Sequence, residues 1–159
     1  YLIRTVVLYA VIAPDVYILR DEVGSYIPEF KFFRLVPGTF SYSGYHGLGT
    51  VLVMIWGIML LVAGGMFLWN MIRTRKVDVM LAFGLCVLFN LILHIDYGQE
   101  LFLYSPDWAF ALIFFVAFGL APFRENRLFQ IGLSLFLIAL AINQWHFMNI
   151  IINALLPYM

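Results

Sequence analysis

Two adjacent carboxylates, Asp21 and Glu22, follow an apolar N-terminal stretch, and their type and placement suit chemistry. Such a pair can act as a general base, or can hold a divalent ion against a phosphate leaving group. Beside Arg20 it also reads as a solvated pair at a surface. A second constellation is the run His94-Ile95-Asp96-Tyr97-Gly98-Gln99-Glu100. A third lies near the C-terminus, where Asn143, Gln144, His146, Asn149 and Asn153 interrupt an apolar run. Asn143, His146 and Asn153 are spaced so that they stay near one helix face, and Asn90 and His94, four apart, share another.

Two readings of these polar residues stand side by side. In one, His94, Asp96, Tyr97, Glu100, Asn143 and His146 line a polar substrate pocket. In the other, the amides and imidazoles hydrogen-bond between packed helices. Helical geometry puts residues two apart on different faces, so the spacing of His94, Asp96 and Glu100 matches no strong metal motif and no metal site is expected. His46, His94 and His146 leave room for a haem clamped between helices. No nucleophile signature, phosphate loop or dinucleotide fingerprint is present. The single cysteine, Cys86, excludes an internal disulfide.

The elements that must position these groups follow from composition. Of 159 residues, 64% are apolar and 11% charged, against about 45–50% and about 25% in soluble domains. So much apolar surface exceeds what one small domain can bury, so the excess faces lipid. The expected architecture is an all-α polytopic transmembrane bundle forming a single domain. Residues 48–72, 77–95, 106–122 and 128–156 read as four full spans on length and lack of charge. Residues 1–19 read as a partial span or interfacial helix, and 20–47 as an ordered, aromatic-rich loop. The first residue is Tyr1, which reads as a processed chain or part of a longer one. Ser105-Pro106-Asp107 is a helix-opening signal. Gly57 and Gly64 suggest close helix contact.

Charge placement supplies an orientation. The short links 73–76 and 123–127 carry Arg73, Arg75, Lys76, Arg124 and Arg127, which assigns them to the cytoplasm, with Arg4 on the same side. Residues 20–47 and 96–105 then lie outside, together with Asp15, Asp21, Glu22, Glu29, Asp96, Glu100 and Asp107. The outer face is therefore where water-exposed chemistry is expected. Nine basic residues balance nine acidic ones, so there is no basic field for nucleic acid. No charge lies mid-membrane to bind a transporter's coupling ion.

The stretch from His94 to Trp108, with the apolar span, short basic turn and Asn143-Gln144 that follow, resembles the C-terminal membrane region of bacterial polytopic proteins related to GT-C glycosyltransferases. The resemblance covers roughly Val77 to Leu156. It implies a multi-helix protein of the bacterial inner membrane that moves sugar from a polyprenyl-phosphate carrier on the extracytoplasmic face. In that class the catalytic acid sits in the first outer loop, where Asp21 and Glu22 are the matching pair. The alternative is a non-catalytic membrane subunit, packed against other subunits of a larger energy-transducing or secretion complex.

Overall fold

The computed structural model describes residues 5–15, 17–19, 29–31, 33–36, 39–42, 44–73, 78–96 and 106–158. Among these residues, four α-helices form the bundle: α1 (Leu48–Arg73), α2 (Asp78–Asp96), α3 (Pro106–Leu120) and α4 (Arg127–Leu155). These are the four helical segments expected from the sequence. Ahead of α1 the expected loop carries two short antiparallel hairpins. Strand β1 (Tyr17–Leu19) pairs with β2 (Glu29–Lys31), and β3 (Phe33–Val36) pairs with β4 (Thr39–Tyr42). The loop's Tyr- and Phe-rich composition favours the pleated backbone that the loop reading had not anticipated.

Helices α1 and α4, at 26 and 29 residues, are long and apolar enough to cross a membrane. The apolar stretches of α2 and α3, Asp78–Leu93 and Asp107–Phe123, are shorter, at 17 residues or fewer. Four full spans are thus an expectation that length carries for two helices. A long apolar helix in a water-soluble protein is normally buried in its core, but here large side chains point outward. Leu61, Ile72 and Leu128 keep 78%, 79% and 80% of their surface exposed.

Helix α3 is the centre of the packing. Its buried residues Trp108, Ala111, Leu112, Val116 and Leu120 recur at three- and four-residue steps, one stripe of a helix. Against α2 the contact is aromatic: Phe83 stacks on Phe114 and Phe118, with ring centroids 5.2 and 5.9 Å apart. Against α1 it is a backbone approach. A Cβ placed on Gly119 would lie 2.6 Å from Ala63 Cβ and 2.7 Å from Ala63 Cα, so only glycine fits. The glycines singled out by sequence spacing do not have this role, since a Cβ on Gly57, Gly64 or Gly65 meets nothing within 4 Å. Spacing locates glycines on a face, but which face meets a neighbour is a tertiary fact.

Asn126 starts α4 by accepting at Oδ1 from Leu128 N and Phe129 N, at 2.9 and 3.3 Å, which satisfies two of the orphan amides of the first turn. Gly47, with φ +54°, makes the left-handed turn that enters α1.

Candidate functional site: an anchored N-terminal segment beneath the hairpins

The N-terminal segment is held inside the bundle as a broken helix. Residues Thr5–Tyr9 form one wide π-type turn, and the chain leaves helical geometry by Ala13. The sequence explains the break. Pro14 disfavours helical backbone at Ala13, and Thr5, Val6, Val7, Val11 and Ile12 are β-branched residues of low helix propensity. Val11 N donates to Leu8 O at 3.1 Å, and Ile12 N donates to the same oxygen at 2.8 Å. In a continuous α-helix Val11 N would instead serve Val7 O.

The carbonyls this geometry frees are taken by side chains from elsewhere in the fold. Trp108 Nε1 donates to Val6 O (3.2 Å) and Trp56 Nε1 to Val7 O (2.9 Å). Gln144 Nε2 donates to Val11 O (2.9 Å), Tyr45 Oη to Ile12 O (3.1 Å) and Asn143 Nδ2 to Ala13 O (3.1 Å). Three helices and the approach to α1 thus supply donors to one short stretch of backbone. Val6, Tyr9, Val11, Ile12 and Ala13 are all buried. A buried carbonyl left without a donor costs about 1–3 kcal/mol, so the segment and its donors specify one another.

Just beyond the segment the chain is pinned again. Asp15 N donates to Gly44 O at 3.2 Å, and His46 Nδ1 lies 2.5 Å from Asp15 Oδ2 in an exposed pair. Thr50 Oγ1 donates to Tyr45 O at 2.7 Å, and the Tyr9 and Tyr45 rings meet edge to face at 5.9 Å. The excursion from residue 16 to 43, which contains both hairpins, therefore leaves and returns at one anchored point. Helix α4 reaches this level at Asn143, whose Oδ1 would sit 3.6 Å from a Cβ on Gly49. It then runs twelve residues further to Leu155, about 18 Å at 1.5 Å per residue, carrying His146, Asn149 and Asn153.

The sequence-derived site residues are distributed as follows. Asn143 lies against the N-terminal segment, with its amide donated to backbone, and Gln144 beside it does the same. For these two the hydrogen-bonding reading is the one the geometry fills, with non-helical backbone in place of a second helix as the acceptor. His146 is exposed on the C-terminal half of α4. His94 and Asp96 close α2, where their backbone alone is described. Asp21 and Glu22, in the stretch joining β1 to β2, and Tyr97 and Glu100, after α2, lie outside the described residues. Asn90 donates to Cys86 O of its own helix at 2.9 Å. Among the described residues, no group of three or more His, Cys, Asp or Glu gathers in a metal-holding arrangement.

Sequence reasoning missed Tyr45, Trp56 and Trp108 as donors, and missed the Asp15–His46 pair. A signal for the donors was present. Pro14, closing an apolar stretch, means a helix end whose last carbonyls need partners. The tryptophans and tyrosine of an apolar bundle are the side chains that combine large burial with an N–H or O–H.

No family model, curated protein or solved structure matches this chain.

Proposed function

We propose that the chain is a polytopic membrane module, with residues 73–76 and 123–127 in the cytoplasm, working on its extracytoplasmic face as part of a GT-C-like glycosyltransferase. Its substrate class there is a polyprenyl-phosphate-linked sugar. The observation that carries this reading is the anchored excursion. Five side chains and the Asp15 contacts fix the base of the 16–43 stretch at one end of an outwardly apolar bundle, and that stretch holds Asp21 and Glu22. A loop held on a rigid base is where catalytic groups are commonly carried. The broken backbone beneath it is buried in protein, the condition under which irregular chain is tolerated at membrane depth.

In this reading Asp21 or Glu22 serves as general base or holds a divalent ion at the phosphate leaving group, while His94, Asp96, Tyr97, Glu100 and His146 contact the saccharide. Asn143 contributes through the anchor. The test is transfer from polyprenyl-phosphate sugars by membranes containing the full-length protein. Asp21→Asn or Glu22→Gln, whichever removes the acting carboxylate, is expected to lower transfer by at least about 100-fold, the weight of one positioned acid–base group. Unchanged transfer in both removes the assignment.

One observation favours a second reading, a non-catalytic subunit of a larger membrane complex. Asn143 and Gln144, two residues of the polar cluster on α4, serve the fold itself. Meanwhile Ile142, Trp145, Met148 and Ile152 present an exposed apolar face along the outer part of α4. Copurification with partners at fixed stoichiometry, and no transfer activity, decides for it.

A further inference from the structure

An apolar groove of about 360 Å³ lies between α1, α3 and α4, and its polar rim residue is Arg124. Trp56, Val116 and Phe136 form part of its wall, and its lining on α4 runs from Phe129, at the helix end that follows Arg124, to Leu140. We infer that it binds one acyl chain of an anionic phospholipid, with the lipid phosphate on the Arg124 guanidinium. The inference rests on the membrane reading above and is independent of the glycosyltransferase reading.

Three features point to this occupant. The groove is walled almost wholly by aliphatic and aromatic side chains, so its occupant is a hydrocarbon. Along α4 the lining runs from Phe129 to Leu140, eleven residues or about 16 Å. One leaflet of hydrocarbon is half of about 30 Å, so a chain entering beside Arg124 is matched in depth. The volume takes about a dozen groups the size of a water molecule, at about 30 Å³ each, which suits a single chain.

Charge at the mouth supplies the third feature. Among the described residues, Arg73, Arg124 and Arg127 stand at this end against Asp78 and Glu125. Arg124 Nε donates to Glu125 Oε1 at 3.0 Å, but both side chains are exposed. An ion pair so placed is weak and gives way readily to a phosphate. Basic pockets between membrane helices select anionic head groups in this manner.

The intact chain, purified in mild detergent, is titrated with phosphatidylglycerol or phosphatidylcholine of the same acyl chains, and bound lipid is counted by native mass spectrometry. Phosphatidylglycerol is expected to bind about five-fold more tightly, the weight of one basic side chain at an anionic surface. Arg124→Gln should abolish the preference, while Arg73→Gln, at the same end but outside the groove, should keep it. Ala117→Phe, which fills the groove, should lower retention of both lipids, and the smaller Ala117→Leu should do so in part where the larger variant does not fold. Equal binding of the two lipids by the unmodified chain overturns the inference. So does undiminished preference in Arg124→Gln, or undiminished retention in both Ala117 variants.

Discussion

Asn143→Leu and Gln144→Met should loosen the N-terminal segment without unfolding the bundle. Each change nearly conserves volume and removes one donor, leaving Ala13 O or Val11 O unpaired. Hydrogen bonds between membrane helices average about 0.6 kcal/mol and reach about 1.7. These two serve backbone that is buried and has lost its helical partner, so about 1 kcal/mol each is the reasonable expectation. Both act on one segment, and together they lower its opening free energy by about 2 kcal/mol. The readout is thiol labelling at Ala13→Cys in a Cys86→Ser background, since Ala13 is only 7% exposed and the small substitution keeps its backbone carbonyl. When labelling requires local opening, its rate follows the opening equilibrium. Each single change should accelerate it about five-fold and the pair about 30-fold. Asn153→Leu, on the same helix but donating to none of these carbonyls, should leave the rate unchanged. A double variant labelled within two-fold of the parent refutes the anchor.

The crossing of α1 and α3 predicts a contrast between two glycines. Gly119→Ala brings carbon to 2.6 Å from Ala63 Cβ, against a comfortable contact of about 3.5–4.0 Å. It should therefore destabilise by about 1–3 kcal/mol in mixed-micelle unfolding, whereas Gly64→Ala, which meets nothing within 4 Å, should be neutral or stabilising. Equal midpoints for the two would refute the crossing. Removing the α4 cap with Asn126→Ala should cost about 1 kcal/mol, read in the same assay. Cysteines introduced at His46 and Arg124 in a Cys86→Ser background should label from opposite sides of sealed vesicles, with His46→Cys reached from the extracytoplasmic side. Labelling of both from one side would reject the topology.

The helices were legible because a span needs little beyond length and low charge. The bounds expected for the first, second and fourth spans lie within one residue of Leu48–Arg73, Asp78–Asp96 and Arg127–Leu155. For the third, the apolar run to residue 122 continues past α3 through a 3₁₀ turn at Ala121–Phe123. The partners of those helices were not legible. Apolar residues cover every face of α1, so periodicity gives no hint that Leu52, Trp56 and Ala63 are the buried ones. The hairpins were hidden for a related reason, since an aromatic-rich stretch suits both an interfacial loop and a strand. The anchor depends on residues about 130 positions apart, as between Asn143 and Ala13. Only the demand side of that contact, the stop imposed by Pro14, is written locally.

The anchor also changes how the polar residues of α4 are weighed. In an apolar bundle any amide near one end looks like a ligand for something, because an unpartnered polar group there is costly. Asn143 and Gln144 satisfy that cost by holding Ala13 O and Val11 O, so their presence needs no substrate. His146 lies one turn beyond, exposed, and donates to none of the described N-terminal carbonyls. Its presence is not explained by the fold in the same way. The two kinds of residue should separate experimentally. Replacing Asn143 should lower stability and activity in step, whereas His146→Ala should leave the Ala13 labelling rate unchanged and reduce transfer on its own. If His146→Ala leaves both unchanged, the proposed saccharide contact of His146 is refuted.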